Sequence, residues 1–172
     1  MGNVCQTTDM SQAGINLETS LGYLLKEASS ALHTSMAVVL RPLGMTITHY
    51  SCLELLSQRP GLSNSELARG AFVTRQSMNV LLHSLERDGI VTRPERPKSG
   101  RVLPTALTPK GRSQLATASA AVKAVEDRMK VGLSMEEQSD LGDMLARCIS
   151  SLLAGENRGA DELSAPPGTS TP

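Results

Sequence analysis

The sequence has no long apolar run, few cysteines and no signal peptide, and each absence narrows the possible functions. No window of about 18 consecutive apolar residues occurs, so no transmembrane span is predicted. The N-terminus has no basic segment followed by an apolar core, so no secretory signal is predicted. The three cysteines, Cys5, Cys52 and Cys148, are an odd and sparse set that fits a reducing compartment. These absences together predict a cytoplasmic protein with no membrane partner.

Net charge is also absent, because 17 basic and 17 acidic residues cancel. This balance argues mildly against general binding to nucleic acid. The distribution is uneven, however, since the stretch from Arg93 to Arg112 holds six basic residues and one acid. Most of the balancing acids lie between Glu126 and Asp143 and in the C-terminal tail. The sequence therefore predicts one positive face, although a solvated run of charge without a partner is the alternative.

No pattern of residues indicates a catalytic or metal site. The sequence shows no Ser/His/Asp spacing, no glycine-rich phosphate loop and no paired carboxylates, so we expect no enzyme activity. His49 and Cys52 lie three residues apart, but two side chains are too few for a structural zinc site. A packed or capping histidine is the simpler interpretation, and no metal or cofactor is predicted.

The stretch from Leu62 to Leu107 predicts two helices joined by a tight turn and followed by a hairpin. Ser63 and Glu66 form a capping box for the first helix. Thr74 caps the second helix, which ends at Asp88-Gly89. Its apolar face comprises Met78, Leu81, Leu82 and Leu85, and another face carries Arg75, Gln76, Asn79 and His83. This is the pattern of a helix-turn-helix whose second helix reads the major groove.

The hairpin after this helix reads as a basic wing. Strands are predicted at 90–93 and 101–107, with Pro94 and Pro104 limiting them to edge or bulged pairing. The tip of the hairpin is positive, because it has four basic residues and one acid, Glu95; the basic residues are Arg93, Arg96, Lys98 and Arg101. Such a hairpin can reach a phosphate or the minor groove, although Arg101 could instead pair with Glu95.

Helical periodicity extends on both sides of this centre. A long first helix is predicted from Leu17, disturbed at Arg41-Pro42 and closed by Gly44. A second helix is predicted at about 48–57. After Thr108-Pro109, one helix reaches about Val131 and a last one runs from the capping box at Ser134 to Gly155. Residues 1–16 and 154–172 are predicted to be disordered, which leaves one domain at 17–153.

Four stretches resemble the MarR (multiple antibiotic resistance regulator) family of winged helix-turn-helix repressors: Leu67-Ala68, 73–79, 85–93 and 101–111, the last including Leu107-Thr108-x-x-Gly111. The resemblance spans about 17–153. It departs in the wing, where the family's Asp-x-Arg is Ser99-Gly100-Arg101. The implied fold is mostly α with a small β-hairpin wing: a DNA-binding lobe at about 46–107 and dimerisation helices at 17–43 and 109–153. The resemblance implies a triangular homodimer, which removes the apolar patches that a monomer would expose.

A homodimer of this kind reads a palindromic operator in double-stranded DNA, with half-sites about one helical turn apart. Side chains on the second helix of the motif can bond base edges, and its N-terminus can bind phosphate. We predict base contacts from Arg75, Gln76 and Asn79, phosphate contacts from Thr74 and Ser77, and wing contacts from Lys98 and Arg101. The alternative for the helix is an ordinary solvated face.

The resemblance also implies a cleft for a small aromatic acid or phenolic effector that releases DNA. Candidate residues are His33, Met36, Arg41, His49 and Tyr50, although each could simply pack. Some relatives instead sense peroxides through a cysteine at the start of the first helix, so a redox-sensing regulator that uses Cys5 stays open; Cys52 and Cys148 are interpreted as packing residues. A winged-helix module that binds protein rather than DNA is the alternative from another class.

Overall fold

The computed structural model describes residues 16–93 and 105–163, with side chains up to residue 154. Its helices and strands are, in order, α1 (Leu21–Leu40), a 3₁₀ turn (Arg41–Leu43), α2 (Ile47–Gln58), α3 (Asn64–Gly70), α4 (Arg75–Arg87), β1 (Val91–Thr92), β2 (Ala106–Leu107), α5 (Pro109–Met129) and α6 (Met135–Leu163). The two strands pair antiparallel, with Val91 opposite Leu107. The predicted fold class, mostly helical with a small hairpin, is confirmed. None of the described helices combines the length and apolarity that a membrane crossing needs.

The helix starts that the sequence predicted from capping residues are confirmed. Ser63 accepts a hydrogen bond from the Glu66 amide at 3.3 Å, and the Glu66 carboxylate accepts one from the Ser63 amide at 2.8 Å. The Ser63 hydroxyl also donates to the Glu66 carboxylate at 2.6 Å. This bond, together with the one from the Ser63 amide, holds the pKa of Glu66 below its ordinary value. The same reciprocal pair joins Ser134 and Glu137 before α6. Such caps satisfy amides that have no partner within the helix, so they fix where each helix begins.

The described residues form two compact units that divide after Glu126, and the core lies in the first unit. Leu53 of α2, Leu67 of α3 and Met78 and Leu82 of α4 are fully buried there. Leu81, predicted on the same apolar face, is partly buried against this cluster. The helix-turn-helix is therefore built around one apolar face of each helix, as the spacing predicted.

Two predicted helix boundaries are wrong. The first helix begins at Leu21, where Ser20 caps it, rather than at Leu17. The last helix passes through Gly155 and ends at Leu163, so residues 154–163 are helical although they were assigned to the disordered tail. A single glycine inside a helix costs only about 1 kcal/mol relative to alanine, so it does not have to end one. Residues 1–15 and 164–172, also predicted to be disordered, lie outside the described residues.

The base of the hairpin is fastened to the start of α5. The Thr108 hydroxyl donates to the carbonyl oxygens of Gly89 and Ile90 and accepts from the amide of Gly111. The amide of Thr108 also donates to Ile90 at 3.0 Å. A Cβ on Gly111 would lie 2.2 Å from the Ile90 oxygen, so only glycine lets the two segments approach this closely. The stretch Leu107-Thr108-x-x-Gly111 is thus a structural joint between α4, β1 and α5.

Candidate nucleic-acid interface

The N-terminus of α4 is held by two side chains. Thr74 accepts a hydrogen bond from the Ser77 amide at 3.1 Å, and its hydroxyl donates to the Ser77 hydroxyl at 2.9 Å. Asn64, at the start of α3, donates from Nδ2 to the Arg75 carbonyl at 3.1 Å. Because Thr74 donates to Ser77, the hydroxyl hydrogen of Ser77 remains available to a phosphate. The first turn of α4 is therefore anchored both by its own cap and by the preceding helix.

The predicted base-reading residues share the exposed side of α4. Arg75, Gln76, Asn79 and His83 are exposed, and Met78 on the opposite side is fully buried. The structure thus brings together Thr74, Arg75, Gln76, Ser77 and Asn79, all five of the helix residues predicted to contact DNA. Sequence reasoning passed over Val80, which lies on the same side and is 66% exposed. Its side chain carries no donor or acceptor, so no hydrogen-bonding pattern in the sequence indicated it.

The turn between α3 and α4 carries an unusual residue. Phe72, the one phenylalanine of the chain, is 95% exposed and has a φ of 55°. The left-handed region is costly for any residue with a Cβ. No sequence signal indicated this conformation, because glycine or asparagine is the usual sign of a positive φ.

Lys98 and Arg101, the two predicted wing contacts, lie outside the described residues. Nearby cations are seen at the base of the hairpin. Lys110 donates to the Asp88 carbonyl at 2.9 Å and Arg112 to the Leu107 carbonyl at 2.8 Å. Arg93 has buried Nε and Nη2 atoms that find no hydrogen-bond partner within residues 16–93 and 105–163. Part of the positive stretch is therefore used to hold the hairpin base rather than displayed to a partner.

The five predicted effector residues differ in environment. His33 and Arg41 are exposed, and Met36, His49 and Tyr50 are partly buried. Burial lowers the pKa of His49, against the pull of the Asp88 carboxylate. The His49 Nε2 atom is buried and has no hydrogen-bond partner among the described residues. Burial, more than the nearby carboxylate of Glu54, raises the pKa of Tyr50. None of the five lines the cleft of about 160 Å³ that sequence reasoning missed, which is lined by Leu43, Met45, Ser113, Gln114 and Thr117.

The cysteines that the structure describes differ in access. Cys52 is fully buried, and burial raises the pKa of its thiol to about 12, despite the positive charge of Arg93. Cys148 is exposed on α6, where sequence reasoning had expected it to pack, and Cys5 lies outside the described residues. Among residues 16–93 and 105–163, no group of three or more His, Cys, Asp or Glu could hold a metal ion.

Each unit exposes apolar side chains on a terminal helix. In the first unit, α1 exposes Leu21 (72%) and Leu24 (44%). In the second unit, α6 exposes Ile149 (58%) and Leu152 (71%). Exposed apolar side chains that group along a helix are typical of surfaces that another molecule covers.

Comparison with known proteins yields one consistent family. A sequence model of the MarR family matches residues 43–102. The chain is 42% identical over 134 residues to the HTH-type transcriptional repressor Rv2887 of Mycobacterium tuberculosis, which covers 78% of this chain and 96% of that repressor.

Solved structures agree with this match. The M. tuberculosis MarR family protein Rv2887 in complex with DNA has a TM-score of 0.63 and 40% identity, over 75% of this chain and 97% of that chain. The same protein in complex with salicylic acid has a TM-score of 0.63 and 43% identity, over 75% and 96%.

Proposed function

Because this chain belongs to the MarR family of winged helix-turn-helix transcription regulators, we propose that it is a homodimeric repressor that binds a palindromic operator and is released by a small aromatic acid. MarR regulators are not enzymes. Because a transcription regulator binds chromosomal DNA, the proposal includes a cytoplasmic location.

The observation that carries this proposal is the exposed polar side of α4. Arg75, Gln76 and Asn79 carry donors and acceptors that fit base edges in the major groove. Thr74 and Ser77 lie at the helix N-terminus, where amide groups and the helix dipole favour a phosphate. The Ser77 hydroxyl can donate to it directly, whereas the Thr74 hydroxyl donates to Ser77. The relative Rv2887 has been seen in complex with DNA. Lys98 and Arg101 are proposed to add contacts from the wing.

The apolar side chains on α1 and α6 support the homodimer, because they would be exposed to water in a monomer. Burying apolar surface is worth about 25 cal/mol per Å² before the cost of association. A second copy of the chain offers the same two helices, so a two-fold interface can cover both stripes. Two copies of α4 then read the two halves of a palindrome.

The effector is proposed to be a salicylate-like acid, because Rv2887 has been seen with salicylic acid. Among the predicted residues, His49 has a buried nitrogen with no partner in the described part of the chain, and a ligand hydroxyl or carboxyl group could satisfy it. His33 and Arg41 are exposed cations or potential cations, Met36 offers an adaptable apolar contact and Tyr50 a hydroxyl. A ligand that binds only the state incompetent for DNA would shift the population and release the operator.

Footprinting on the upstream region of its own gene, followed by titration of the footprinted duplex, tests the proposal. Alanine at Arg75 should weaken specific binding by roughly 1–3 kcal/mol if this residue reads a guanine. Arg147→Ala on α6 removes the same charge from an exposed position and serves as the matched control. If alanine at Arg75, Gln76 and Asn79 each leaves binding unchanged, the assignment of this face is wrong.

Salt dependence separates the proposal from a protein-binding winged helix. A DNA reader loses affinity steeply as salt rises, in proportion to the phosphates it neutralises. A protein-interaction module would show little specific duplex affinity at any salt concentration. Millimolar salicylate should weaken operator binding, and calorimetry without a heat of binding at that concentration would remove this class of ligand.

A further inference from the structure

Val80 is an apolar residue in the middle of a polar surface. It lies on α4 four residues after Gln76 and three before His83, so the three side chains share one side of the helix. Val80 is 66% exposed, whereas Met78 and Leu82 on the other side are fully buried. Gln76, Asn79 and His83 around it are exposed as well. Val80 therefore belongs to the surface that faces outward and not to the core.

The position of Val80 limits what it can contact in a protein–DNA complex. A branched hydrocarbon side chain offers no donor or acceptor, so it can bond neither a phosphate oxygen nor the polar edge of a base. The major groove has one apolar group, the C5-methyl of thymine, and small apolar side chains on reading helices contact it. Gln76 and Asn79 beside Val80 are side-chain types that pair with adenine in the same groove.

We propose that Val80 is a specificity-determining residue that packs against the C5-methyl group of a thymine in each operator half-site. This inference rests on the proposed function, because it needs α4 in the major groove. It adds a preference for the methyl group itself, which hydrogen-bonding side chains do not sense and which a cytosine at the same position would not present. The thymine occupies the same place in both half-sites, because the two copies of α4 are related by the two-fold axis.

Uracil differs from thymine only by this methyl group, so uracil substitution gives the sharpest test. Each thymine of the footprinted operator is replaced by uracil, in both half-sites at once, and the Kd is measured for the wild type and for Val80→Ala. At one position, replacement of thymine by uracil should weaken wild-type binding about fourfold per half-site. This is the value expected for the loss of one methyl group from an apolar contact. At that position, the difference between the thymine and uracil duplexes should be smaller for Val80→Ala than for the wild type, because the alanine side chain reaches less far, while uracil elsewhere affects both proteins alike.

Alanine has a higher helix propensity than valine, so Val80→Ala should not weaken the helix itself. Val38→Ala on α1, where the valine is 63% exposed, is the control for loss of an exposed helical valine, with oligomeric state measured for both variants. If no uracil position is coupled to Val80→Ala while Gln76→Ala and Asn79→Ala weaken binding, the contact is refuted and the proposed function stands. If Gln76→Ala and Asn79→Ala also bind as wild type does, the assignment of the whole reading face fails.

Discussion

The α-carbon of Gly111 lies so close to Ile90 that a Cβ built on it would be 2.2 Å from the Ile90 carbonyl oxygen. This oxygen also accepts the amide and hydroxyl of Thr108, so it cannot move without loss of those bonds. We expect Gly111→Ala to lower the free energy of unfolding by about 3 kcal/mol through overpacking. Urea denaturation measures this change.

Gly142→Ala is the matched control for that experiment. Gly142 also lies in a helix, but a Cβ there would meet nothing within 4 Å. Alanine is the better helix former, so this variant should be neutral or about 1 kcal/mol more stable. Equal stability of the two variants would show that the joint tolerates a side chain at Gly111.

The backbone of Phe72 predicts a stabilising substitution. Its φ of 55° is costly for a residue with a Cβ, and its side chain is 95% exposed, so little packing is lost on removal. Phe72→Gly should raise the free energy of unfolding by about 1 kcal/mol. Phe72→Ala keeps the strained backbone and serves as the control. If Phe72→Gly is no more stable than Phe72→Ala, the turn is not strained.

His49 predicts a loss of stability at mildly acidic pH. Burial lowers its pKa below the ordinary 6.5, so the unfolded chain binds a proton more readily than the folded chain does. Its contribution to stability is therefore fully present above pH 6.5 and is lost as the pH falls from 6.5 through the lowered pKa of the folded state. Urea titrations at several pH values should give a flatter dependence for His49→Gln than for the wild type. His83→Gln, at an exposed position of α4, controls for loss of a histidine. If the stability of His49→Gln depends on pH as steeply as that of the wild type, the prediction is wrong.

We expect the buried thiol of Cys52 to react only when the protein unfolds. With its pKa raised to about 12, Cys52 is almost entirely protonated at neutral pH, and the thiolate is the reactive form. In a Cys5→Ser, Cys148→Ser variant, a thiol reagent should label Cys52 at the rate of global unfolding. Fast labelling of this variant, with loss of operator binding, would support a redox switch at Cys52. Oxidation that releases DNA from the wild type but not from Cys5→Ser would instead favour the redox alternative at Cys5.

Local chemistry made the helix starts predictable. The caps at Ser63, Thr74 and Ser134 depend on side chains within three residues of the helix start, so the sequence alone indicates them. The end of α6 was mispredicted, because Gly155 is a stop signal only where a turn forms, and here the helix continues.

Features that depend on tertiary contact could not be predicted. The cleft lined by Met45 and Gln114 forms where the segment after α1 meets α5, and no local pattern encodes that meeting. The strain at Phe72 has the same origin, since a tight turn between two packed helices imposes the φ whatever residue stands there. Val80 was overlooked for another reason: its exposure follows from which side of α4 is buried, while its chemistry resembles that of the core.

The joint at Thr108 has a mechanical consequence. Its hydroxyl ties the start of α5 to the segment directly after α4, and Lys110 adds a bond to Asp88, the last residue before that segment. Hydrogen bonds thus join the first turn of α5 to the end of α4, and we expect these two segments to move together. We therefore expect that an effector that displaces α5 would also reorient α4, without contact to the DNA-facing side chains.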